Sequence, residues 1–317
     1  MRPFRSFLAV GLSLAVASPV NQRQASPKVT ELLRFPGNTR LENLNILPNG
    51  YLIINTLNSS DVFTVDPSDS LPQPNKLVTL PDGSSLFGIT ALDNGLYAVV
   101  SGIASPVPHH YLLGSFQVHV IDPFSETNVL IKSIPVPDTE FLNGLTSLPE
   151  HPHVVLGADS FAGSILRIDT HTDEVVTAFS SPALGFGNAT GLQIGVNGVR
   201  IRDGYLYFTN SRLGTFSRLR IDEDGFPLGE PQVIAILPGW EDGEHLWDDF
   251  DFDEEGNVYV TAHPSSLIKV SEEGEQETIV GGDGDDTLGA PTGVALEQGG
   301  KAVWVTSMIG QVVRVEI

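Results

Sequence analysis

Residues 197–208, with the sequence NGVRIRDGYLYF, contain the pattern that determines the fold. A strand-like segment precedes Asp203-Gly204, and a second one, rich in Tyr, Leu and Phe, follows it. Asp-Gly between two such segments is typical of a β-hairpin turn. A third strand-like segment closes the unit at residues 219–222 with the sequence LRID. The unit therefore predicts a small antiparallel sheet.

The same unit can be aligned six times along the chain. Its second position is occupied by Asn43, Gly88, Gly144, Gly198, Asp249 and Gly293. A repeat of about 40–50 residues with several strands is typical of propeller blades, which bury their faces only against one another. Residues 29–35 precede the first unit and read as a strand that pairs with the last blade and closes the ring. The sequence predicts an all-β fold, a single six-bladed β-propeller with four-stranded antiparallel blades over residues 29–317, and no second domain.

Composition restricts the function before any site is considered. The 317 residues include 17 Lys and Arg against 39 Asp and Glu, a net charge of −22, which argues against nucleic acid as a partner. The absence of Cys excludes disulfides, thiolate nucleophiles and iron–sulfur clusters. Hydrophobic residues make up 41% of the chain, which indicates a globular protein.

The N-terminus has the layout of a secretory signal peptide. Arg2 and Arg5 precede an apolar run at residues 7–17, which ends in Ala15-Val16-Ala17. We therefore expect a signal peptide at residues 1–17, a linker at 18–28, and a protein in the secretory pathway or secreted; the alternative is a disordered or membrane-tethering leader. The run is too short to span a bilayer, so no stable membrane insertion is expected. Sequons at Asn58 and Asn188 are the predicted glycosylation sites.

Polar residues recur where the first strand of each unit begins. In a propeller blade this strand lines the central channel and the second strand runs back beside it, so the start of one and the end of the other share a mouth of the channel. The residues opening the first strands are Glu42, Phe87, Asn143, Asn197, Asp248 and Thr292. The residues closing the second strands are Thr56, Ser101, Asp159, Asn210, His263 and Thr306 or Ser307. These two rings predict a binding site at one mouth; the alternative is that they only form turns.

Four of the six openers supply oxygen ligands: Glu42, Asn143, Asn197 and Asp248. Two carboxylates and two amides suit one hard divalent cation such as Ca²⁺, Mg²⁺ or Mn²⁺. Without a cation, Glu42 and Asp248 would repel each other and the pKa of one of them would rise.

Other residues of the same region are candidates for contact with a substrate. We expect His245 to move a proton and Trp247 to stack on a flat substrate, because both lie in the loop before the fifth opener. His263 and Arg212 are further catalytic candidates. The alternatives are a surface His, a Trp that packs a blade and an Arg that offsets acidic neighbours. The predicted substrate-binding residues are Trp247, Phe87, Asp159, Asn210 and Ser307. His109-His110, in the insertion at residues 102–113, predicts a mobile loop or lid.

The six units, residues 197–208 and residues 253–260 (DEEGNVYV) resemble the regucalcin/gluconolactonase propeller family over residues 29–317. The resemblance implies one divalent cation and no organic cofactor. It implies cation ligands at the openers of blades one, three, four and five, which here are Glu42, Asn143, Asn197 and Asp248, with Asp249 as the alternative to Asp248.

The chain departs from the family pattern at two motifs. Glu42-Asn43-Leu44 replaces the usual Glu-Gly-Pro, and Trp247-Asp248-Asp249 replaces Pro-Asp-Gly. With the leader, these differences resemble a fungal branch of secondary metabolism, in which some members are similar to hetero-Diels–Alderases that join a tropolone quinone methide to a humulene-type terpene.

Three functions follow from the sequence. The first is a cyclase that brings hydrophobic reactants together and needs no nucleophile, with His245, Trp247, Arg212 and His263 contacting substrate. The second is a metal-dependent lactonase with Asp248 as base. The third is a non-catalytic propeller that binds a metabolite. The resemblance favours the cyclase, and the oligomeric state is left open.

Overall fold

A computed structural model describes residues 27–188, 192–282 and 284–317. The expected signal peptide at residues 1–17 and residues 18–26 of the expected linker lie outside the described residues. Within the described ranges the chain forms strands and two single 3₁₀ turns, at Asp93–Gly95 and Trp240–Asp242. No helix among these residues has the length and apolar character needed to cross a membrane.

The strands form six four-stranded antiparallel sheets, as the repeat predicts. Blade 1 contains β2 (Leu41–Ile46), β3 (Leu52–Thr56), β4 (Asp61–Val65) and β5 (Asn75–Thr79). Blade 2 contains β6 (Ser85–Ala91), β7 (Tyr97–Gly102), β8 (Gln117–Ile121) and β9 (Leu130–Pro135). Blade 3 contains β10 (Leu142–Ser147), β11 (Val154–Asp159), β12 (Ser164–Asp169) and β13 (Val175–Ser180).

The second half of the ring has the same construction. Blade 4 contains β14 (Val196–Arg202), β15 (Tyr205–Asn210), β16 (Thr215–Arg220) and β17 (Gln232–Ile236). Blade 5 contains β18 (Leu246–Phe252), β19 (Val258–His263), β20 (Ser266–Val270) and β21 (Gln276–Val280). Blade 6 contains β22 (Pro291–Leu296), β23 (Ala302–Ser307), β24 (Gln311–Glu316) and the N-terminal β1 (Val29–Arg34).

The N-terminal strand closes the ring. β1 pairs antiparallel with β24, from Val29 opposite Val315 to Arg34 opposite Gln311. The strand order of this sheet is β1-β24-β23-β22, so the two ends of the chain share one blade. Closure covers an edge that would otherwise be free to pair with another chain. The expected closure by an N-terminal strand is confirmed.

The innermost strands β2, β6, β10, β14, β18 and β22 each contain a β-bulge near their first residue. In β14, Val196 pairs with Asn210 and the register then shifts, so that the next pair is Val199 with Phe208. A bulge bends the strand and redirects its side chains. The first residue of each bulge is one of the predicted openers, so the six openers occupy equivalent positions in their strands.

The second residue of the bulge is where neighbouring blades meet. It is glycine in four blades, and in blade 3 a Cβ on Gly144 would lie 2.2 Å from the carbonyl oxygen of Asn197 in blade 4. Only glycine permits this approach. The apolar core lies between blades rather than in the channel, as where Phe216 of blade 4 meets Phe250 of blade 5 edge to face with ring centroids 5.1 Å apart. The channel mouth is therefore left to polar groups.

Candidate functional site

A pocket of about 560 Å³ opens at the mouth that the openers share. Its walls come from the insertion between β7 and β8, the β11–β12 and β15–β16 turns, and the segments before β14, β18 and β22. The apolar lining includes Pro108, Phe161, Leu192, Leu246 and Pro264. The polar lining includes His110, Arg212, Asp242 and His263. The lining is therefore mixed, with polar and charged side chains about as frequent as apolar ones. A concave site of this kind can hold a small organic molecule that carries polar groups.

A ring of four polar side chains occupies the same end of the channel. Glu42, Asn143, Asn197 and Asp248 are each less than 9% exposed. Asp248 Oδ1 accepts a hydrogen bond from Asn197 Nδ2 at 2.8 Å, and Asp248 Oδ2 lies 3.0 Å from Nε2 of His263. Three predicted residues, Asn197, Asp248 and His263, are thus in direct contact.

Glu42 has an electrostatic environment that opposes its ionisation. Burial raises the pKa of Glu42 well above its usual value, and the charges of Asp248 and Asp249 raise it further. The expected rise in one carboxyl pKa is confirmed, although burial contributes more than repulsion. Tyr111, from the insertion, also has a raised pKa, because of burial and then the nearby Glu42. Burial and the neighbouring carboxylates therefore favour the protonated form of Glu42.

The donor set fits a hard cation. Oδ1 of Asn143 is buried and has no hydrogen-bond partner among the described residues. An unpartnered buried polar atom costs about 1–3 kcal/mol, so this carbonyl oxygen would be stabilised by a cation or a donor. Two carboxyl groups and two amides surround the same end of the channel, and these are ligands that Ca²⁺, Mg²⁺ and Mn²⁺ accept.

Asp249, the alternative ligand, belongs to a different layer of the channel. Its Oδ2 accepts hydrogen bonds from Asn43 Nδ2 at 2.6 Å and from Arg200 Nη2 at 2.9 Å. Burial raises the pKa of Asp249 to about 6, although the Arg200 charge opposes the rise. These three residues join blades 1, 4 and 5. The sequence analysis did not identify this group, although Asn43 and Asp249 stand where the other blades have glycine.

Arg212 is the cationic side chain of the pocket wall. Its Nε and Nη1 atoms are buried and find no hydrogen-bond partner within the described ranges. Guanidinium N–H groups bond strongly to carboxylate, enolate or carbonyl oxygens. His263 lines the same pocket, and its contact with Asp248 fixes the orientation of the imidazole.

His245 lies beside the pocket rather than in its wall. Its Nδ1 is 2.7 Å from Oδ2 of Asp242. Backbone N–H groups of Glu244 and His245 lower the pKa of Asp242, which is therefore ionised at neutral pH. Asp242, Glu244 and Leu246 line the pocket, so sequence reasoning identified the loop and missed which of its residues face inward.

Two predicted aromatic contacts are part of the core. Trp247 is 0% exposed, and its indole N–H donates to the carbonyl oxygen of Gly214 at 2.9 Å. Phe87 is 1% exposed and meets Tyr111 and Phe141 edge to face. Trp247 therefore packs within a blade, which was the alternative to contact with a substrate. Neither residue belongs to the pocket lining.

Three predicted strand-closing contacts support turns instead of lining the pocket. Asp159 Oδ1 accepts from the backbone N–H of Phe161 at 3.2 Å. Asn210 Nδ2 donates to the carbonyl oxygen of Gly185 at 2.8 Å, and Ser307 Oγ accepts from the N–H of Gln311 at 3.1 Å. A residue that ends a strand starts the following turn, where short polar side chains bond the backbone. Asp159 and Asn210 therefore shape the turns that present Phe161 and Arg212.

The insertion between β7 and β8 forms one wall of the pocket. A bridge between Ala104 and Tyr111 closes it into a hairpin-like loop. His110 packs on Phe161 with ring centroids 5.1 Å apart. The extra length between two strands of blade 2 is the sequence signal for this wall. Phe161, Leu192 and Leu246 gave no signal of their own, because a lone apolar residue beside a turn has no distinctive pattern.

The asparagines of the two sequons lie at the surface. Asn58 is exposed, and its Nδ2 donates to the carbonyl oxygen of Asn38 at 2.9 Å. Asn188 is also exposed, while the remainder of its sequon lies outside the described residues.

The described residues form a six-bladed propeller with a pocket at the channel mouth. No protein-family model matches the chain. A protein of Phoma sp. is named for a proposed hetero-Diels–Alderase activity. It is 25% identical in an alignment of 319 positions, which covers 92% of this chain and 88% of that protein. A protein of Sarocladium schorii with the same kind of name is 25% identical over 250 residues, covering 68% of this chain and 59% of that protein.

Solved structures show the same architecture. A gluconolactonase from Xanthomonas campestris superposes with a TM-score of 0.65 and 11% identity, covering 92% of this chain and 89% of that one. A virginiamycin B lyase from Staphylococcus aureus superposes with a TM-score of 0.62 and 12% identity, covering 92% of this chain and 100% of that one. The predicted resemblance to gluconolactonase-like propellers and to proteins named hetero-Diels–Alderase is confirmed.

Proposed function

We propose that the protein is an enzyme that binds a hydrophobic small molecule at the channel mouth and catalyses a hetero-Diels–Alder cycloaddition. The reactants that we propose are a tropolone quinone methide and a humulene-type terpene. The observation that carries the proposal is the pocket of about 560 Å³, in which apolar side chains and an arginine whose Nε and Nη1 have no partner among the described residues share one wall lining. The names of the two relatives supply the reaction class.

The reaction needs neither a nucleophile nor an exchanged proton. The conjugated C=C–C=O unit of the quinone methide adds across a C=C bond of the terpene, so one C–C and one C–O bond form while the remaining π electrons shift within the new ring. Holding the two reactants in register can contribute about 7–11 kcal/mol. Phe161, Leu192 and Leu246 would exclude water and orient the terpene.

Arg212 would polarise the heterodiene. Hydrogen bonds from its guanidinium to the quinone methide oxygen withdraw electron density, which favours attack by an electron-rich alkene, and they strengthen as negative charge develops on that oxygen. His263, held through Nε2 by Asp248, leaves Nδ1 as the nitrogen that can bond the substrate. The same contact makes Asp248 a positioning residue in this reaction.

The test compares purified protein with buffer, using a tropolone quinone methide generated in situ and humulene. The wild type is expected to raise the rate and to give one cycloadduct. The variant Arg212→Met is expected to lose about 10²-fold in rate, the loss typical for one preorganised donor. Arg220→Met, an exposed arginine of the same blade, is the matched control and should retain wild-type activity. Equal rates and product ratios with protein and with buffer would refute the proposal.

We also propose that Glu42, Asn143, Asn197 and Asp248 hold one divalent cation. The unpartnered Asn143 Oδ1 and the raised Glu42 pKa support this assignment. When bound, the cation would supply Lewis-acid polarisation of a substrate oxygen. Titration with Mn²⁺ followed by electron paramagnetic resonance should detect one site in the wild type and a weaker one in Asp248→Asn.

The same oxygen donors favour lactone hydrolysis as a second candidate function. Asp248 would then act as the base for a water molecule, as the sequence analysis expects. EDTA-sensitive hydrolysis of gluconolactone that is lost in Asp248→Asn would support this function. Hydrolysis that survives both EDTA and Asp248→Asn would exclude a metal-dependent mechanism with Asp248 as the base.

Secretion and glycosylation are further proposals that rest on the sequence. N-terminal sequencing of protein from culture medium should begin at Ser18 if residues 1–17 are removed. A mass decrease on treatment with peptide N-glycosidase should disappear when Asn58 and Asn188 are both replaced by Gln.

A further inference from the structure

We propose that the face of the propeller opposite the pocket carries a transition-metal site formed by Asp93, His153 and His171. Asp93 lies in the β6–β7 turn of blade 2, and the two histidines lie in the β10–β11 and β12–β13 turns of blade 3. These turns follow the first or third strand of a blade, so they lie at the end of the channel away from the openers. The proposed reaction at the mouth uses none of them.

The three side chains bring ligand atoms close together. One ligand atom of each residue lies within 4.8 Å of the others. His171 Nε2 is 3.9 Å from Asp93 Oδ2. The imidazoles of His153 and His171 are stacked, with centroids 4.2 Å apart and planes 5° apart. Two ligands of one Zn²⁺ ion can be separated by about 4 Å at most, because each lies about 2.0–2.2 Å from the metal. The two imidazole planes are parallel, so their nitrogens do not point at one ion in this arrangement. Binding would require one imidazole to turn out of the stack so that both nitrogens face the same ion.

The turns that carry the histidines are fixed by their own hydrogen bonds. The carbonyl oxygen of His153 accepts from both N and Oγ1 of Thr170, at 2.9 and 2.7 Å. Oδ1 of Asp169 accepts from the N–H of His171 at 2.8 Å. The two histidine turns are thus linked before any metal binds, which reduces the ordering that binding requires.

The ligand set determines the class of metal. Two imidazoles and one carboxylate suit Zn²⁺, Cu²⁺ or Ni²⁺, whereas the oxygen donors of the mouth suit hard cations. The His171 side chain is 59% exposed, so a metal would be reached directly from solution and would keep a position for water. A bound metal would also connect blade 2 to blade 3.

The test is calorimetric titration of untagged protein with ZnCl₂ in excess Mg²⁺, which competes for the mouth. The wild type is expected to bind one equivalent of Zn²⁺. His171→Ala and His153→Ala should weaken this binding at least about tenfold, the lower range for disturbed ligand sets. His151→Ala is the matched control, since His151 lies on the same turn as His153 but outside the group, and it should bind as the wild type does.

A spectroscopic measurement assigns the ligands. In an Asp248→Asn background, the electron paramagnetic resonance spectrum with one equivalent of Cu²⁺ should show coupling to two imidazole nitrogens, and to one fewer in His171→Ala. Because His171 is exposed, this variant is expected to fold, and a urea denaturation curve checks it. Absence of a Zn²⁺ equivalent in the wild type would overturn the proposal, and so would equal affinity in folded His171→Ala.

Discussion

The channel contains two polar layers that are adjacent in sequence and differ in their electrostatics. In the mouth layer, Glu42 has a strongly raised pKa and Asp248 is held by uncharged Asn197 and by His263. In the deeper layer, Asn43 and Asp249 occupy the next positions of the same bulges, and Asp249 forms an ion pair with Arg200 at 2.9 Å. Each layer has polar groups from blades 1, 4 and 5.

The difference between the layers lies in charge compensation. Arg200 supplies the deeper layer with a buried positive charge, and its own pKa is raised by Asp249 and Asp251 although burial alone would lower it. Each layer has one buried oxygen without a partner among the described residues, Asn143 Oδ1 in the mouth layer and Asp249 Oδ1 in the deeper layer. The mouth layer differs in having no arginine, so a bound cation or donor would stabilise its acidic charge. Compensated polar groups hold blades together, and uncompensated ones are available to a ligand.

The largest expected effect comes from Arg200→Met. This change leaves the buried Asp249 without the cation that it pairs with, and breaking such a pair costs about 3–5 kcal/mol of unfolding free energy. Urea denaturation measures the loss, and Arg220→Met should stay within about 0.5 kcal/mol of the wild type. A small effect of Arg200→Met would show that the deeper layer does not stabilise the ring.

Gly144→Ala tests whether the second bulge position serves blade contact. The added Cβ would meet a backbone oxygen at 2.2 Å, so we expect a loss of about 3 kcal/mol, near the upper end for overpacking. Gly229→Ala is the control, because its Cβ would have no neighbour within 4 Å. Equal denaturation midpoints for the two variants would contradict the close approach of blades 3 and 4.

The deeper layer should also determine part of the pH dependence of stability. The pKa of Asp249 is raised from 3.8 to about 6, so its protonated form stabilises the fold at low pH and this contribution is lost as the pH rises through 6. Between pH 4.5 and 6.5 the change amounts to about 2 kcal/mol. Urea denaturation across this range should show that the unfolding free energy of the wild type falls by about 2 kcal/mol more than that of Asp249→Asn. Equal pH dependence of the two proteins would place the Asp249 pKa near its usual value.

The smallest effect on stability is expected for Glu42→Gln. Glutamine resembles the protonated carboxyl, which is the form that burial favours at Glu42, so the unfolding free energy should change by less than about 1 kcal/mol. Because the raised Glu42 pKa costs stability as the pH rises, the variant should gain on the wild type in alkaline solution. Its Mn²⁺ affinity should nevertheless fall at least about tenfold. Strong destabilisation of Glu42→Gln with unchanged Mn²⁺ binding would contradict this prediction, because Glu42 would then stabilise the fold instead of binding the metal.

The sequence predicted the blades well because each blade contains its own recognisable strand segments. The strand–turn–strand unit around Asp203-Gly204 recurs six times at intervals of 44–56 residues, so a weak unit can be located from its neighbours. Placing Glu42, Asn143, Asn197 and Asp248 in one layer followed from that spacing. Trp247 was misplaced among the substrate contacts, since the sequence shows a loop aromatic but not the bulge that turns its indole towards Gly214.

The sequence by itself determined the number of blades, the closure of the ring and the residues that open each inner strand, because strand periodicity and turn chemistry are local. Only the tertiary structure decided which side chains meet between blades. Asn43 and Asp249 are 206 residues apart, and their contact depends on closure of the whole ring. The same holds for the pocket wall and for the histidines of the opposite face, where different turns converge. Distances between turns of separate blades are determined by the packing of the sheets, which no single repeat encodes.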